Sequence, residues 1–179
     1  MNTIEVIKWQ EGVNLKNLSR ETIFDAIQAI DHAVFHENGL SDIQGDIARY
    51  EAFKDSYIFA LHEGRIVGYL CYFPITDEFY KTVLKGLLVY DANIESTYIC
   101  DLNSISNYIF LLSVAVFPEY QNIGISKRFS EILIEELSKL KVADMVSYAY
   151  TIDGEHFLSV FGLKRYKDMK DDIKLMRVL

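Results

Sequence analysis

Two periods of apolar residues alternate along the chain. "TIEVIKW" (3–9) sets Ile4 and Val6 against Thr3 and Glu5, the period of two expected of a half-buried strand. In "SRETIFDAIQAIDHAVFHENG" the apolar residues Ile23, Ile27, Ile30 and Val34 recur at helical spacing. Ser19 stands where an N-cap belongs, and Gly39 where a left-handed exit belongs. "SDIQGDIARYEAFKD" (41–55) predicts a second, more polar helix. "SYIFALHEGRIVGYLCYFPI" predicts a hairpin turning at Gly64.

The segment 77–107 reads as an insert. Phe79, Val83, Leu84 and Leu87 have helical spacing, weakened by Gly86, and "ANIESTYICDLNSISN" suits a short strand or a loop. "YIFLLSVAVF" (108–117) is nearly all apolar, as a central strand covered on both faces would be. "SKRFSEILIEELSKL" (126–140) places Phe129, Ile132, Leu133, Leu137 and Leu140 on one helical face. "DMVSYAYT" (144–151) predicts a strand, and "DGEHFLSVFG" (153–162) a short helix closed by Gly162. The tail "LKRYKDMKDDIKLMRVL" predicts two strands joined at "KDD". The order β-α-α-β-β-(insert)-β-α-β-α-β-β predicts an α/β fold, a mixed twisted sheet of about six or seven strands flanked by helices on both faces. Strand, helix and strand over 108–151 read as one βαβ unit, whose crossover places the two strands parallel and adjacent or nearly so.

Composition narrows the class. The chain has 179 residues, which predicts one domain over 1–179. At that length roughly 70% of the unfolded surface can be buried, so no disulfide or metal is required. With 50% hydrophobic and 25% charged residues it is not a disordered chain. The net charge of −8 argues against nucleic acid and anionic membranes as partners and suits a cationic substrate such as an amine. The start lacks the basic and apolar regions of a signal peptide, and the apolar runs fall short of the ~20 residues of a membrane span. Cys71 and Cys100 sit in strand-like contexts, as reduced thiols do, so a cytoplasmic location is expected.

The candidate chemistry begins at "VFPEYQNIGIS" (116–126), between the central strand and the amphipathic helix. A helix start exposes unbonded N–H groups and about half a positive charge. Gln121, Asn122, Ile123, Gly124, Ile125 and Ser126 would present successive N–H groups there, and Gly124 permits close approach or a positive φ. Lys127 and Arg128 in the first turn oppose the helix dipole, and a bound phosphate would justify them. The loop is neither a Walker loop nor a dinucleotide fingerprint, so a plain strand-to-helix turn is the alternative.

"VAVFPEYQNIGISKRF" resembles the acetyl-CoA signature V-x-P-x-x-Q/R-x-x-G-x-G/A of the GCN5-related N-acetyltransferases (GNAT), through Val116, Pro118, Gln121 and Gly124. "FLSVFGLKRY" resembles that family's second motif through Phe157, Phe161, Gly162 and Leu163, and the order of elements is also the family's. The resemblance implies acetyl-CoA as co-substrate and no metal. The backbone of Val114, Ala115 and Val116 would pair with the pantetheine arm, and the loop N–H groups would hold the pyrophosphate. The implied activity is N-acetyl transfer by direct attack of an amine, on a small molecule or a peptide amino terminus. A protein that binds or senses CoA or a metabolite without turnover is the alternative.

The chain departs from the family at several positions. Ser126 replaces the last Gly or Ala of the signature. Leu158 stands where a tyrosine often serves as general acid, Val146 where a glutamate often serves as base, and Thr151 where an asparagine often opens the second motif. Tyr148 is the candidate catalytic residue, with Tyr150, His156 and Ser159 as further polar groups nearby; each also fits an ordinary structural role. Glu119 reads as a solvated loop acid. His32 and His36 have metal-ligand spacing but lack the glutamate of "HExxH" and a third ligand. The insert reads as a wall of the acceptor pocket, with a homodimer contact as the other reading.

Overall fold

The period-two runs become strands and the helical-period runs become helices. The computed structural model describes residues 4–10, 15, 18–35, 42–87, 94–103 and 107–178. Gly39 and His36 lie outside the described residues. The strands are β1 (Glu5–Lys8), β2 (Tyr57–His62), β3 (Arg65–Ile75), β4 (Asn107–Val116), β5 (Val142–Ala149), β6 (Lys164–Asp168) and β7 (Lys174–Arg177). The helices are α1 (Arg20–Val34), α2 (Ile43–Ala52), α3 (Asp77–Lys85), α4 (Ile125–Ser138) and α5 (Ile152–Val160). The strands form one sheet in the order β1-β2-β3-β4-β5-β7-β6. β4 and β5 run parallel, as the βαβ reading requires, and the other neighbours are antiparallel.

The expected turns are present. The β2–β3 hairpin turns on Glu63 and Gly64, with φ of 51° and 75°. Two positive φ angles in a two-residue turn match the right-handed twist of the strands. The "KDD" turn between β6 and β7 likewise places Asp171 and Asp172 at φ of 57° and 61°. In the insert, α3 ends on Gly86 at φ 76°, so Leu87 leaves the predicted helical stripe and is 68% exposed. The segment expected as a short strand or loop forms, where described, a 3₁₀ turn at Ser96–Tyr98 and a single bridge from Ile99 to Ile75.

Each sheet face carries its own core. α1, α2 and α3 bury Phe24, Ile27, Tyr50, Phe79 and Val83 against Phe59, Phe73, Phe110 and Val146. α4 and α5 bury Phe129, Leu133 and Leu158 against Ile58, Leu70, Ile109 and Leu111. Each such side chain contributes roughly 1.5–3 kcal/mol. The single tryptophan, Trp9, stacks on Tyr50 at 4.2 Å and meets Phe24, Tyr57 and Phe59 nearby, so one aromatic group joins the end of β1 to α1, α2 and β2. Among the described residues no helix is long and apolar enough to cross a membrane, and Cys71 and Cys100 form no disulfide.

β1 is tied to α4 by charge. Lys8 Nζ lies 2.5 Å from Glu136 Oε2, and Lys139 Nζ lies 2.8 Å from Glu136 Oε1. Hydrogen bonds from Lys139 and then Lys8 hold the Glu136 carboxyl below the usual carboxylate range. A carboxyl depressed in the folded state stabilises above its unfolded pKa of about 4.3 and loses that contribution as pH falls through the folded value. Glu136→Gln is therefore expected to lower Tm at neutral pH and to leave it nearly unchanged near pH 3. Thermal melts of both proteins across pH check this, and an equal loss at both ends would contradict it.

Candidate functional site

A gap opens between the two parallel strands. The β4–β5 ladder runs from Asn107–Val142 to Leu111–Ser147 and stops there, while β4 continues to Val116 and β5 turns its pairing to β7. The cause lies on β4's other edge. Cys71 of β3 faces Ser113 and Tyr72 faces Leu111, so Leu112 is an extra residue without a partner. Such a bulge bends the strand and increases its local twist, which carries β4 away from β5. It also puts two successive side chains, Leu112 and Ser113, on the α1 side: Leu112 joins that core and Ser113 bonds Tyr69 there.

The bulge decides which backbone groups face the gap. Phe117 N–H donates to Val67 O of β3 at 3.0 Å. Alternation along a strand then turns Ala115, which faces Tyr69, toward β3 as well, and turns Val114 and Val116 toward the gap. Gln121 Nε2 donating to Val116 O at 2.9 Å fits that direction. Of the three residues expected to offer backbone to a ligand, Val114 and Val116 direct theirs to the gap and Ala115 directs its own to β3. The strands approach closely here: a Cβ on Gly68 would lie 2.9 Å from Val116 Cγ2 and 3.0 Å from Ala115 O.

The loop at the end of β4 prepares a helix start. Pro118–Tyr120 form a 3₁₀ turn, and Gln121 N–H donates to Pro118 O at 3.2 Å. Gln121 therefore holds the loop with both amides and is removed from the expected donors. Asn122 at φ 62° and Gly124 at φ 88° then turn the chain into α4. Ser19, Asp42, Thr76 and Thr151 each cap their helix with a side-chain oxygen, whereas α4 has no capping side chain and no acid in its first turn. Its first helical bond is Arg128 N–H to Gly124 O at 3.3 Å. The N–H groups of Ile125, Ser126 and Lys127 precede it and have no partner among the described residues. A Cβ built on Gly124 meets nothing within 4 Å, so the space before these donors is open. Asn122 and Ile123 are exposed beside it, while Ile125 is buried and anchors the turn. Donors, dipole and open space together suit an anion such as a diphosphate. The basic pair divides: Arg128 Nη1 donates to Ile4 O at 2.5 Å and holds the chain before β1, and Lys127 is exposed.

On the α1 side of the gap the polar groups are buried. Tyr148 is one residue past the last β4–β5 pair, with its ring edge-on to Phe110 at 5.9 Å. Its hydroxyl is buried without a hydrogen-bond partner among the described residues, and burial pushes its pKa up. Across the gap, Tyr69 donates its hydroxyl proton to Asp31 of α1 and lies 3.1 Å from Ser113 Oγ. Burial, and then the Asp31 carboxylate, push the Tyr69 hydroxyl well above its ordinary value. This trio was not among the sequence candidates. One signal was available: Asp31 stands four residues after Ile27, on the apolar stripe of its helix, where a carboxylate is out of place.

The other sequence candidates lie elsewhere. Val146 is buried in the α1-side core and Leu158 in the α4-side core, so both positions at which the sequence resemblance pointed to a base or an acid are apolar. Thr151 caps α5, accepting from Gly154 N–H at 3.0 Å. Tyr150 lies beyond the end of β5 and is exposed. His156 and Ser159 are exposed on α5 and joined to each other, Ser159 Oγ to His156 O, at 2.6 Å. His32 is exposed on α1, and Glu119 is exposed on the loop.

The geometry has counterparts. The sequence profile of the Acetyltransferase (GNAT) family matches residues 23–156. No curated protein matches the chain in sequence. Among solved structures, the loading GNATL domain of CurA from Lyngbya majuscula superposes with a TM-score of 0.68 at 14% identity, over 98% of this chain and 96% of that one. The NatC complex bound to Gag peptide and CoA gives 0.66 at 12% identity, over 97% and 95%. The ribosomal-protein-S18-alanine N-acetyltransferase from Escherichia coli gives 0.57 at 15% identity, over 99% and 93%.

Proposed function

Because the chain belongs to the acetyltransferase (GNAT) family, we propose that it transfers an acetyl group from acetyl-CoA to an amine, on a small molecule or a peptide amino terminus, by direct attack. The observation that carries this reading is the uncapped start of α4 beside the opened β4 edge. The other four described α-helices each have a side-chain cap. The N-acetyltransferase and the CoA-bound peptide complex among the similar structures agree with the reading.

The chain's own groups divide the work. The N–H groups of Ile125, Ser126 and Lys127 hold a diphosphate at the positive end of α4. The backbone of Val114, with the N–H of Val116, offers strand-like pairing to an amide-bearing arm in the gap. Acetyl-CoA supplies the activated acetyl group. Tyr148, a neutral hydroxyl at pH 7 whose pKa burial pushes further up, serves as a hydrogen-bond donor on the β5 side.

A second reading, CoA binding without turnover, draws on the buried Leu158 and Val146, which leave two common acid–base positions apolar. Thiol release from acetyl-CoA over a panel of amines and short peptides separates the two. Sustained release with any member sinks the binding-only reading. Tight CoA binding by calorimetry with no release above the hydrolytic background sinks the transferase reading.

A further inference from the structure

We propose that Asp31, Tyr69 and Ser113 form a proton path from the gap into α1, with the Asp31 carboxylate as its terminal acceptor; this rests on the amine-transfer reading. Three polar groups from three elements meet inside an apolar core. Asp31 is 6% exposed, Tyr69 3% and Ser113 9%. Burying a carboxylate and two hydroxyls among apolar neighbours is costly unless each is hydrogen-bonded, and here they are bonded in series. The series has a direction. Ser113 is the residue after the unpartnered Leu112, so its hydroxyl sits on β4 where the strand has left β5. Tyr148 stands on the facing strand, one residue past the last pair and on the same face of the sheet.

Position dictates the side from which an amine arrives. The anion-holding helix start belongs to α4, on the opposite face of the sheet. A ligand anchored there reaches into the gap from that face and leaves the α1 face for the attacking nitrogen. The base at that face is then the Ser113 end of the series. As the nitrogen–carbon bond forms and the carbon–sulfur bond breaks, the nitrogen proton passes to Ser113 Oγ. The Ser113 proton passes to the Tyr69 oxygen, and the Tyr69 proton to the Asp31 carboxylate. The net change is one proton moved from nitrogen to Asp31 and one thiolate released, which takes its proton from solvent. Tyr69 acts as a neutral hydroxyl throughout, in keeping with a group that resists ionisation. Tyr69 and Asp31 are positioning residues, since they act through Ser113.

The test is steady-state thiol release by the full chain with an amine that the wild type acetylates, for Tyr69→Phe, Asp31→Asn and the double variant. Each single change is expected to lower kcat by about a hundredfold, the scale of one acid–base contribution. The KM for acetyl-CoA and CoA affinity by calorimetry stay unchanged, and the double variant falls no further than either single one, because the groups act as a unit. Ser113→Ala shares the effect. Singles that keep kcat within about twofold, or losses that multiply in the double variant, overturn the path. Tyr69→Phe removes one atom and keeps the ring, so it decides the matter if Asp31→Asn does not fold. A wild type that turns over no amine overturns the transfer reading along with the path. Turnover that survives the substitutions overturns the path alone.

Discussion

Gly124→Glu is expected to abolish the proposed CoA binding and to leave the protein folded. Gly124 holds φ 88° at the start of α4, a conformation that costs an L-residue about 1–3 kcal/mol. The space around it is open, so a larger side chain meets no atom within 4 Å of its Cβ. A carboxylate at that point also complements the helix dipole, which offsets part of the backbone cost. The same carboxylate occupies and repels the place where a diphosphate would sit. The expected loss in CoA affinity is more than about a hundredfold by calorimetry, with thermal melts showing a folded protein. Gly124→Ala carries the backbone strain without the charge and is expected to lose less than about tenfold. Equal losses in the two variants would place the diphosphate elsewhere.

Arg177→Met is expected to destabilise the protein by about 3 kcal/mol, and Asp144→Asn by about 1 kcal/mol. Arg177 Nη2 lies 2.5 Å from Asp144 Oδ2, which also accepts from Tyr80 OH at 2.6 Å. Met145 N–H donates to Asp144 Oδ1 at 2.9 Å, and Tyr80 stacks on Tyr108 at 4.0 Å. The partners differ in exposure: the Asp144 side chain is 3% exposed and that of Arg177 21%. Without the guanidinium, a desolvated carboxylate keeps only neutral donors. Without the carboxylate charge, the asparagine oxygen still accepts from Met145 N–H, its amide N–H can donate to the Tyr80 oxygen, and the guanidinium can turn to water. Urea unfolding measures both, and a larger loss in Asp144→Asn would reverse the argument. CoA affinity should not follow either change, because Asp144 lies within the paired part of β5, before the gap opens.

The alternating and helical periods made the order of elements legible, and Ser19, Gly64 and Gly162 marked boundaries that the structure keeps. The signature loop made the helix start legible for the same reason, since its argument needed only local backbone chemistry. The bulge at Leu112 was hidden because "YIFLLSVAVF" is apolar at almost every position and shows no alternation to interrupt. The direction of Ala115's backbone depends on its register with Tyr69, and the role of Gln121 on a carbonyl five residues back. Arg128, which looked like a phosphate ligand from its place in the first turn, answers to the chain before β1. The Asp31–Tyr69–Ser113 series joins α1, β3 and β4, and no local pattern reports a contact across such separations.

The extra residue in β4 behaves like a dislocation in a crystal row. Before it, odd-numbered side chains such as Ile109 and Leu111 face α4; after it, even-numbered ones such as Val114 and Val116 do. The strand is thus two segments out of phase, joined at one fault. Healing the fault by removing Leu112 would make a more regular sheet, turn every later side chain to the other face and zip β4 along β5. The same single residue that makes the sheet imperfect is what keeps an opening in it.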